Sequence, residues 1–185
     1  SILQSITDGQ ATTCIEGSKG LDINLPITVG ACDNGMNYDS ELFFELMEDN
    51  SVDIILWGAR GYPGAIRSPE KYGWIDIDDE TGYVKKVSVK TPLSNPSNDH
   101  IIVGAFTFKR LSDFIDAVTH MKNRKAKING EYYIDTAIND AIQIGKRCKV
   151  LEIEHYICWG SPNELRTFEY WQSCFHKWRS HPYTL

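Results

Sequence analysis

The stretch LPITVGACDNGMNYD, residues 25–39, constrains the fold of this chain most strongly. An apolar, β-rich run at 27–29 breaks at Gly30 and places Asp33 just beyond the end of a strand. Open α/β sheets bind ligands outside the carboxyl ends of their strands, so Asp33 is a candidate ligand for a metal or for a phosphate-bound cation. The alternative is local, because an Asp side chain often bonds the backbone of its own turn.

The residues that follow predict a second strand in the same sheet. Asp39 or Ser40 offers an N-cap to a helix over Glu41–Asp49, and Val52–Trp57 is a nearly continuous apolar run. Such a run is typical of a strand that is buried on both faces. The strand–helix–strand order predicts an α/β protein, with a mainly parallel or mixed sheet flanked by helices, and we expect residues 1–185 to form a single domain.

The remaining pattern adds a β-hairpin and further alternating elements. The hairpin is predicted from Tyr72–Ile77, a turn at Asp78–Gly82 and a return strand over Tyr83–Lys90. A helix is predicted over Ile2–Ile15, followed by a turn or short strand at Ala11–Cys14. Loops are predicted at 16–24, 60–70 and 92–99, and strands at Ile101–Phe108 and Val150–Tyr156. The other predicted helices are Leu111–Lys122 (capped by Ser112 or Asp113), Ile134–Gly145 and Asn163–Trp178.

Composition excludes several classes of function. The formal net charge of −6 argues against binding to nucleic acid or to an anionic membrane by bulk electrostatics. No apolar run approaches the ~20 residues that cross a bilayer, and the first ten residues lack the pattern of a signal peptide. The five cysteines are scattered without a CxxC pair, which favours reduced thiols in a cytoplasmic protein. GxSxG, P-loop and GxGxxG motifs do not occur.

Two further positions carry side chains with binding chemistry. Lys90 ends the hairpin, where its ammonium either meets a phosphate or is simply solvated. Glu131 is predicted at a helix N-terminus, where the dipole alone would stabilise it. The functional alternative is that Glu131 accepts hydrogen bonds from sugar hydroxyls beside an apolar wall of Tyr132 or Tyr133, with Asp135 capping the helix instead.

The last helix has a well-defined start and an unusual surface. Ser161 is predicted as its N-cap, Pro162 as its first residue and Glu164 as the partner of Ser161 in a capping box. The helix then carries five aromatic residues. Packing of these rings on the sheet is the simpler prediction, and a homodimer contact is the alternative. The aromatic set is Phe168, Tyr170, Trp171, Phe175 and Trp178.

In their order along the chain, these landmarks resemble the second and larger part of a sugar-phosphate nucleotidyltransferase. Such enzymes have a Rossmann-like fold of the nucleotide-diphospho-sugar transferase type. The similar segments are Gly9–Thr12 (nucleotide contact), Pro26–Gly35 (strand ending in a Mg²⁺-binding Asp), Tyr72–Pro92 (hairpin ending in a Glu-Lys-Pro type motif), Val103–Phe108 (sugar pocket), Glu131 (sugar hydroxyls) and Trp159–Leu165 (a Gly-Thr-Pro-Glu-x-Leu type segment).

The resemblance implies transfer of a nucleotidyl group from an NTP to a sugar-1-phosphate, with release of pyrophosphate, in nucleotide-sugar supply for surface polysaccharides. It implies Mg²⁺ as cofactor, held by Asp33, and Lys90 as the second catalytic residue. The implied substrate-binding residues are Gln10, Asn34, Gly104, Glu131 and Tyr132. It also implies a cytoplasmic protein whose partners are these substrates, without nucleic acid or membrane.

The sequence also departs from the family pattern. The Gly-rich loop with an Arg that grips the triphosphate is missing, so we expect this chain to be a fragment or to be completed by another piece. Cys158 occupies the place of a second metal-binding Asp, and Val89 that of the Glu in Glu-Lys-Pro. A non-catalytic sugar-phosphate or nucleotide-binding regulatory module is therefore the alternative function. A glycosyltransferase is disfavoured because Asp33-Asn34-Gly35 is not an Asp-x-Asp motif.

Overall fold

The computed structural model describes residue 3 and residues 5–178 of the chain. The strands are β1 Ile27–Gly30, β2 Asn34–Asn37, β3 Ile54–Ala59, β4 Gly73–Ile77, β5 Val84–Val89, β6 His100–Phe108, β7 Cys148–Glu152 and β8 His155–Cys158. The helices are α1 Gln10–Ser18, α2 Ser40–Glu48, α3 Pro63–Arg67, α4 Leu111–Asn123, α5 Ile134–Gln143 and α6 Pro162–Lys177, with a short 3₁₀ helix at Pro69–Lys71.

A mixed six-stranded sheet forms the centre of the molecule. Its order is β5-β4-β6-β3-β7, and β1 also pairs with β6. Strands β3 and β7 run parallel, whereas the other neighbouring strands of this sheet pair antiparallel over the residues that the structure describes. The predicted α/β class, with a mixed sheet, flanking helices and an inserted hairpin, is confirmed.

Strand β6 organises the sheet because its two edges are used differently. One edge pairs with β3 from Ile101 to Phe108. The other edge is shared: β4 pairs at residues 100–101 and β1 at residues 105–108. Between them, residues 102–104 have no strand partner on that edge in the described part of the chain. This gap lies where β1 ends and β4 begins.

Buried apolar side chains cover both faces of the sheet. On one face, Phe108, Phe114, Met121 and Ile138 join α4 and α5 to β6 in one cluster. A second cluster on the other face contains Trp57, Trp74 and Leu151 and receives the partly buried side chains of α2. Helix α2 begins as predicted, because the Asp39 carboxylate accepts hydrogen bonds from the amides of Glu41 and Leu42.

Three helical predictions were wrong. Residues 11–14 lie inside α1, where Ala11 is fully buried, instead of forming a turn or strand, and α1 continues to Ser18 into the predicted loop. The loop predicted at 60–70 contains α3 and the 3₁₀ helix. Helix α4 begins after Arg110 without a side-chain cap, because Asp113 is buried and pairs with Lys146 at 2.6 Å.

The C-terminal part of the described chain differs from the prediction in two ways. The strand predicted at 150–156 is divided into β7, in the main sheet, and β8, which pairs with β2 in a separate two-stranded ribbon. Helix α6 begins at Pro162 with Ser161 as its N-cap, as predicted, but none of its described residues is buried. The prediction that its aromatic side chains pack on the sheet is therefore wrong. None of the described helices is long and apolar enough to cross a membrane.

Candidate functional site

A cleft of about 1210 Å³ opens at the gap beside β6. Its walls come from the end of β1, the start of β4, the end of β5, the start of α1 and the turn between β8 and α6. Six of the residues predicted for the site line this single cleft: Gln10, Asp33, Asn34, Lys90, Gly104 and Glu131. The structure therefore brings them together, while their roles remain predictions.

Asp33 lies just after β1, with an exposed carboxylate. Its backbone carbonyl accepts a hydrogen bond from the amide of Trp159 at 2.8 Å, which fixes the segment against the β8–α6 turn. Its carboxylate faces Gly160, where an added Cβ would lie 3.0 Å from Oδ2. Because no described residue hydrogen-bonds this carboxylate, Asp33 is not engaged in its own turn and is available to a ligand.

Asn34 and Gly104 close the floor of the gap. The Asn34 Nδ2 donates to the carbonyl of Val103 at 2.9 Å, and the Ala31 amide donates to the carbonyl of Gly104 at 2.9 Å. Gly104 has a φ of 75°, and a Cβ there would lie 2.9 Å from the Cβ of Ala31. Only glycine fits this position without strain. The Asn34 Oδ1 is buried without a partner among the described residues, so it can accept a hydrogen bond from a ligand.

Lys90 ends β5 in a strained backbone conformation. Its φ is 57°, although it is not glycine, and its amide donates to the carbonyl of Tyr72 at 3.0 Å. The Nζ donates to the hydroxyl of Tyr133 at 3.3 Å and lies 5.0 Å from the centre of that ring. Lys90 forms no ion pair with a described carboxylate. Its positive charge therefore lies at the cleft without a direct ion pair, and it acts on the carboxylate of Asp135 from beyond ion-pair distance.

Glu131 reaches the cleft from a different local structure than predicted. It forms an isolated β-bridge with Ile128, three residues before α5, so its predicted place at the helix N-terminus is wrong. Tyr132 was predicted to bind substrate, but it is 7% exposed and belongs to the core. The Nζ of Lys127 lies over its ring, 4.9 Å from the ring centre. The predicted alternative, Tyr133, lines the cleft.

The sequence prediction missed Asp135 as a residue of the cleft. It lies in the first turn of α5, half-buried, with its carboxylate against Gly73. It does not cap the helix, because the N-cap is Tyr133. Desolvation raises the pKa of Asp135 to about 6, and the charge of Lys90 offsets this only in part. The helix dipole alone stabilises an Asp in the first turn of a helix, so the sequence gives no reason to expect this residue in a binding site.

Cys158 occupies the position beside Asp33 where the resemblance places a second metal ligand. Its Sγ lies 3.5 Å from Glu164 Oε2, which the prediction assigned to a capping box with Ser161. Burial raises the pKa of the Cys158 thiol, so it remains protonated at neutral pH. Beyond it, the rings of Tyr72 and Tyr156 each meet the ring of Tyr62 edge to face, and burial raises the pKa of all three phenols.

The residues at this end of the cleft fit Mg²⁺ only if the substrate supplies the remaining ligands. Asp33 offers one free carboxylate, and the described residues contain no group of three or more His, Cys, Asp or Glu that could hold a metal ion. A neutral thiol is a poor ligand for this hard cation. Mg²⁺ nevertheless binds commonly through one or two carboxylates, together with water and substrate phosphates. The chemistry of Asp33 is therefore compatible with the predicted cofactor.

The architecture described above is shared with known proteins. It is the fold of the sugar-phosphate nucleotidyltransferases, as comparison with solved structures shows. A nucleoside-diphosphate-sugar pyrophosphorylase from Vibrio cholerae RC9 superposes with a TM-score of 0.68 at 22% identity, over 90% of this chain and 66% of that one. No protein-family model and no curated protein matches the sequence.

Two further solved structures have the same architecture. A Bacillus anthracis protein described as a glucose-1-phosphate thymidylyltransferase, in complex with sucrose, matches with a TM-score of 0.65 at 14% identity, over 98% of this chain and 65% of that one. The inositol-1-phosphate CTP transferase of T. maritima matches with a TM-score of 0.61 at 12% identity, over 88% of this chain and 60% of that one. This chain therefore spans less than two thirds of the three proteins, and the assignment of residues 1–185 to one domain stays a prediction.

Proposed function

We propose that this chain provides the sugar-phosphate side of a nucleotidyltransferase. The reaction is transfer of a nucleotidyl group from an NTP to a sugar-1-phosphate, with release of pyrophosphate. The observation that carries the proposal is the convergence of Asp33, Lys90 and Glu131 on one cleft. The names of the structural neighbours, a pyrophosphorylase, a thymidylyltransferase and a CTP transferase, support the same reaction class.

In this reaction an oxygen of the sugar-1-phosphate attacks the α-phosphorus of the NTP, and the bond to the leaving pyrophosphate breaks. The protein's contribution is positioning and charge neutralisation, since no covalent intermediate is required. Lys90 neutralises and orients the attacking phosphate as a compact point charge. Glu131 accepts hydrogen bonds from sugar hydroxyls, and the Asn34 Oδ1 and the Gly104 backbone line the floor beneath the sugar.

Gln10, the first residue of α1, contacts the nucleotide in this proposal. Asp33 is the residue that would hold Mg²⁺, which, when bound, supplies positive charge to the phosphates of the NTP. We place the product in nucleotide-sugar supply for surface polysaccharides and the protein in the cytoplasm, where NTPs are made. The five cysteines are free thiols, as a reducing compartment keeps them.

The test is a pyrophosphate-release assay on the intact protein, with any segment that supplies the triphosphate-gripping loop, over a panel of NTPs and sugar-1-phosphates with Mg²⁺. We expect release from at least one pair and a loss of about 100-fold or more in Asp33→Asn, because one preorganised electrostatic contact contributes about that much. The matched control is Asp79→Asn, an exposed carboxylate of the hairpin turn outside the cleft.

Two outcomes would contradict the proposal. Full activity in Asp33→Asn would remove the assigned role of this carboxylate. Calorimetric binding of sugar-1-phosphate or NTP without any pyrophosphate release would favour the alternative, a non-catalytic regulatory module, for which the neutral thiol of Cys158 beside Asp33 is the supporting observation.

A further inference from the structure

Two cations that the sequence analysis did not single out line the same cleft: Arg67, at the end of α3, and Lys71, at the end of the 3₁₀ helix. Both are exposed, and neither forms an ion pair with a described carboxylate. Glu70 lies between them in the sequence but does not line the cleft. Their charge is therefore unneutralised at the cleft, in a chain whose formal net charge is −6.

Other cations of the described chain show that this is not the general situation of its Lys and Arg side chains. Many of them contact a carboxylate directly. The pairs include Arg60 with Glu152, Arg110 and Lys146 with Asp113, Arg124 with Asp140, Arg147 with Asp53, Lys127 with Asp8 and Lys149 with Asp49.

Ser68 lies between Arg67 and Lys71, where α3 meets the 3₁₀ helix. The Lys71 amide donates to the Ser68 carbonyl at 3.1 Å in a 3₁₀ turn. Ser68 also lines the cleft, between the last turn of α3 and the 3₁₀ helix. A guanidinium, a hydroxyl and an ammonium are the donors that bind phosphate oxygens.

Arg67, Ser68 and Lys71 lie on a different segment of the chain from Lys90. The Lys90 Nζ lies over the ring of Tyr133, on the α5 side of the cleft. Arg67 and Lys71 belong instead to the segment that leads into β4. The Lys90 amide donates to the carbonyl of Tyr72, the residue after Lys71, at 3.0 Å, so the two groups reach the cleft from neighbouring segments.

We propose that Arg67, Ser68 and Lys71 form a second phosphate-binding subsite in this cleft, for a substrate that brings a second phosphate group beyond the one at Lys90. The inference rests on the proposed function. The second phosphate is either part of the phosphoanhydride of the NTP and the leaving pyrophosphate, or a second phosphate ester on the sugar. In both cases the recognised group is a phosphate oxyanion.

The test is calorimetric titration of the full chain with three probes: inorganic pyrophosphate, glucose 1-phosphate and glucose 1,6-bisphosphate. The variant is Arg67→Gln with Lys71→Gln, and the matched control is Arg166→Gln with Lys125→Gln, exposed cations outside the cleft that change the net charge equally. We expect the cleft variant to lose about tenfold or more in affinity per cation for at least one of the two diphosphate probes. Its affinity for glucose 1-phosphate should stay within about twofold of the wild type.

The probe that is weakened identifies the source of the phosphate. Loss confined to pyrophosphate indicates the phosphoanhydride, and loss confined to the bisphosphate indicates the sugar ester. Equal losses in the cleft and control variants, or an equal loss for all three probes, would overturn the proposal. Because these titrations need no turnover, pyrophosphate binding at Arg67 and Lys71 without any nucleotidyl transfer would leave the subsite in place and reject only the proposed function.

Discussion

The α4–α5 interface and the rim of the cleft use the same charged residue types in opposite ways. At the interface, the buried carboxylate of Asp140 accepts hydrogen bonds from Arg124 Nε at 2.6 Å, Arg124 Nη2 at 2.7 Å and His120 Nδ1 at 2.7 Å. At the rim, Lys90 and Arg67 form no direct ion pair with a described carboxylate, although the Lys90 charge acts on Asp135 from a greater distance. Partnered charges hold helices together, whereas unpartnered charges at a cleft are available to a ligand.

The pKa values of the carboxylates also differ between the two regions. Burial raises the pKa of Asp140, but the hydrogen bonds from Arg124 and His120 outweigh it and hold this pKa below its usual value. At Asp135, burial dominates and the pKa rises to about 6. The fold therefore stabilises the charged form of Asp140 and the neutral form of Asp135.

The largest effect on stability is expected from Asp140→Ala, which leaves Arg124 and His120 without their shared acceptor. We expect the free energy of unfolding, measured by urea denaturation, to fall by about 3 kcal/mol, towards the lower end for a broken buried pair because both cations are partly exposed. Asp116→Ala, an exposed position of α4, is the control and should change little. Binding of glucose 1-phosphate should be unchanged where the variant is folded, and a weakened binding would show that the two regions are coupled.

A smaller effect of opposite sign is expected from Asp135→Asn. Because the folded-state pKa is raised from 3.8 to about 6, ionisation of Asp135 destabilises the fold as the pH rises through this window. The Asn variant should be more stable than the wild type by about 2 kcal/mol at about pH 7, and this gain should vanish near pH 4. Urea denaturation at both pH values measures it. An equal difference at the two pH values would contradict the assignment of Asp135 as a destabilising ionised group.

Lys90 combines a strained backbone with the proposed binding role, so two substitutions separate these properties. Lys90→Gly should raise the free energy of unfolding by about 0.5–1 kcal/mol, because glycine adopts the left-handed conformation without a steric penalty. Lys90→Gln should leave stability nearly unchanged. Both variants should bind glucose 1-phosphate about tenfold more weakly, since both remove the ammonium. Retained affinity in Lys90→Gln would mean that this lysine is merely solvated.

The smallest effect on stability is expected at α6. The side chain of Trp171 is 55% exposed, so Trp171→Glu should change the free energy of unfolding by less than about 0.5 kcal/mol. The homodimer predicted from the aromatic residues stays a prediction, which light scattering at several protein concentrations tests. A dimer of the wild type that Trp171→Glu converts to a monomer would confirm it, and a monomeric wild type would show it to be wrong.

The apolar pattern was sufficient to predict the strands of the main sheet except for the bounds of β7. Runs such as Ile27–Gly30, Ile54–Ala59 and Ile101–Phe108 are apolar because their strands lie in the core, and burial is visible in the sequence. Residues 11–14 were mispredicted because Thr12 and Thr13 favour strand locally. The structure places them in α1 through a long-range contact, in which the Ala11 amide donates to the Tyr132 carbonyl at 3.1 Å. Sequence pattern does not show such a contact.

The site was predictable where a strand end determines it and not elsewhere. Asp33 and Lys90 each follow a readable strand. Tyr132 and Tyr133 are adjacent in an extended segment, where neighbouring side chains point to opposite faces, and nothing in their spacing says which one faces the cleft. Arg67 and Lys71 lie in and directly after the Gly- and Pro-rich stretch at 60–70, whose composition predicts a loop. The helical turns that bring both cations to the cleft are therefore not visible in the sequence.

The most direct test of the central claim is a crystal structure of the chain with glucose 1-phosphate. The claim is that the cleft beside β6 binds a sugar phosphate through Lys90 and Glu131. It predicts a phosphate oxygen within about 3 Å of Lys90 Nζ and a sugar hydroxyl hydrogen-bonded to the Glu131 carboxylate. A phosphate bound outside this cleft, with Lys90 still on the Tyr133 hydroxyl, would contradict it.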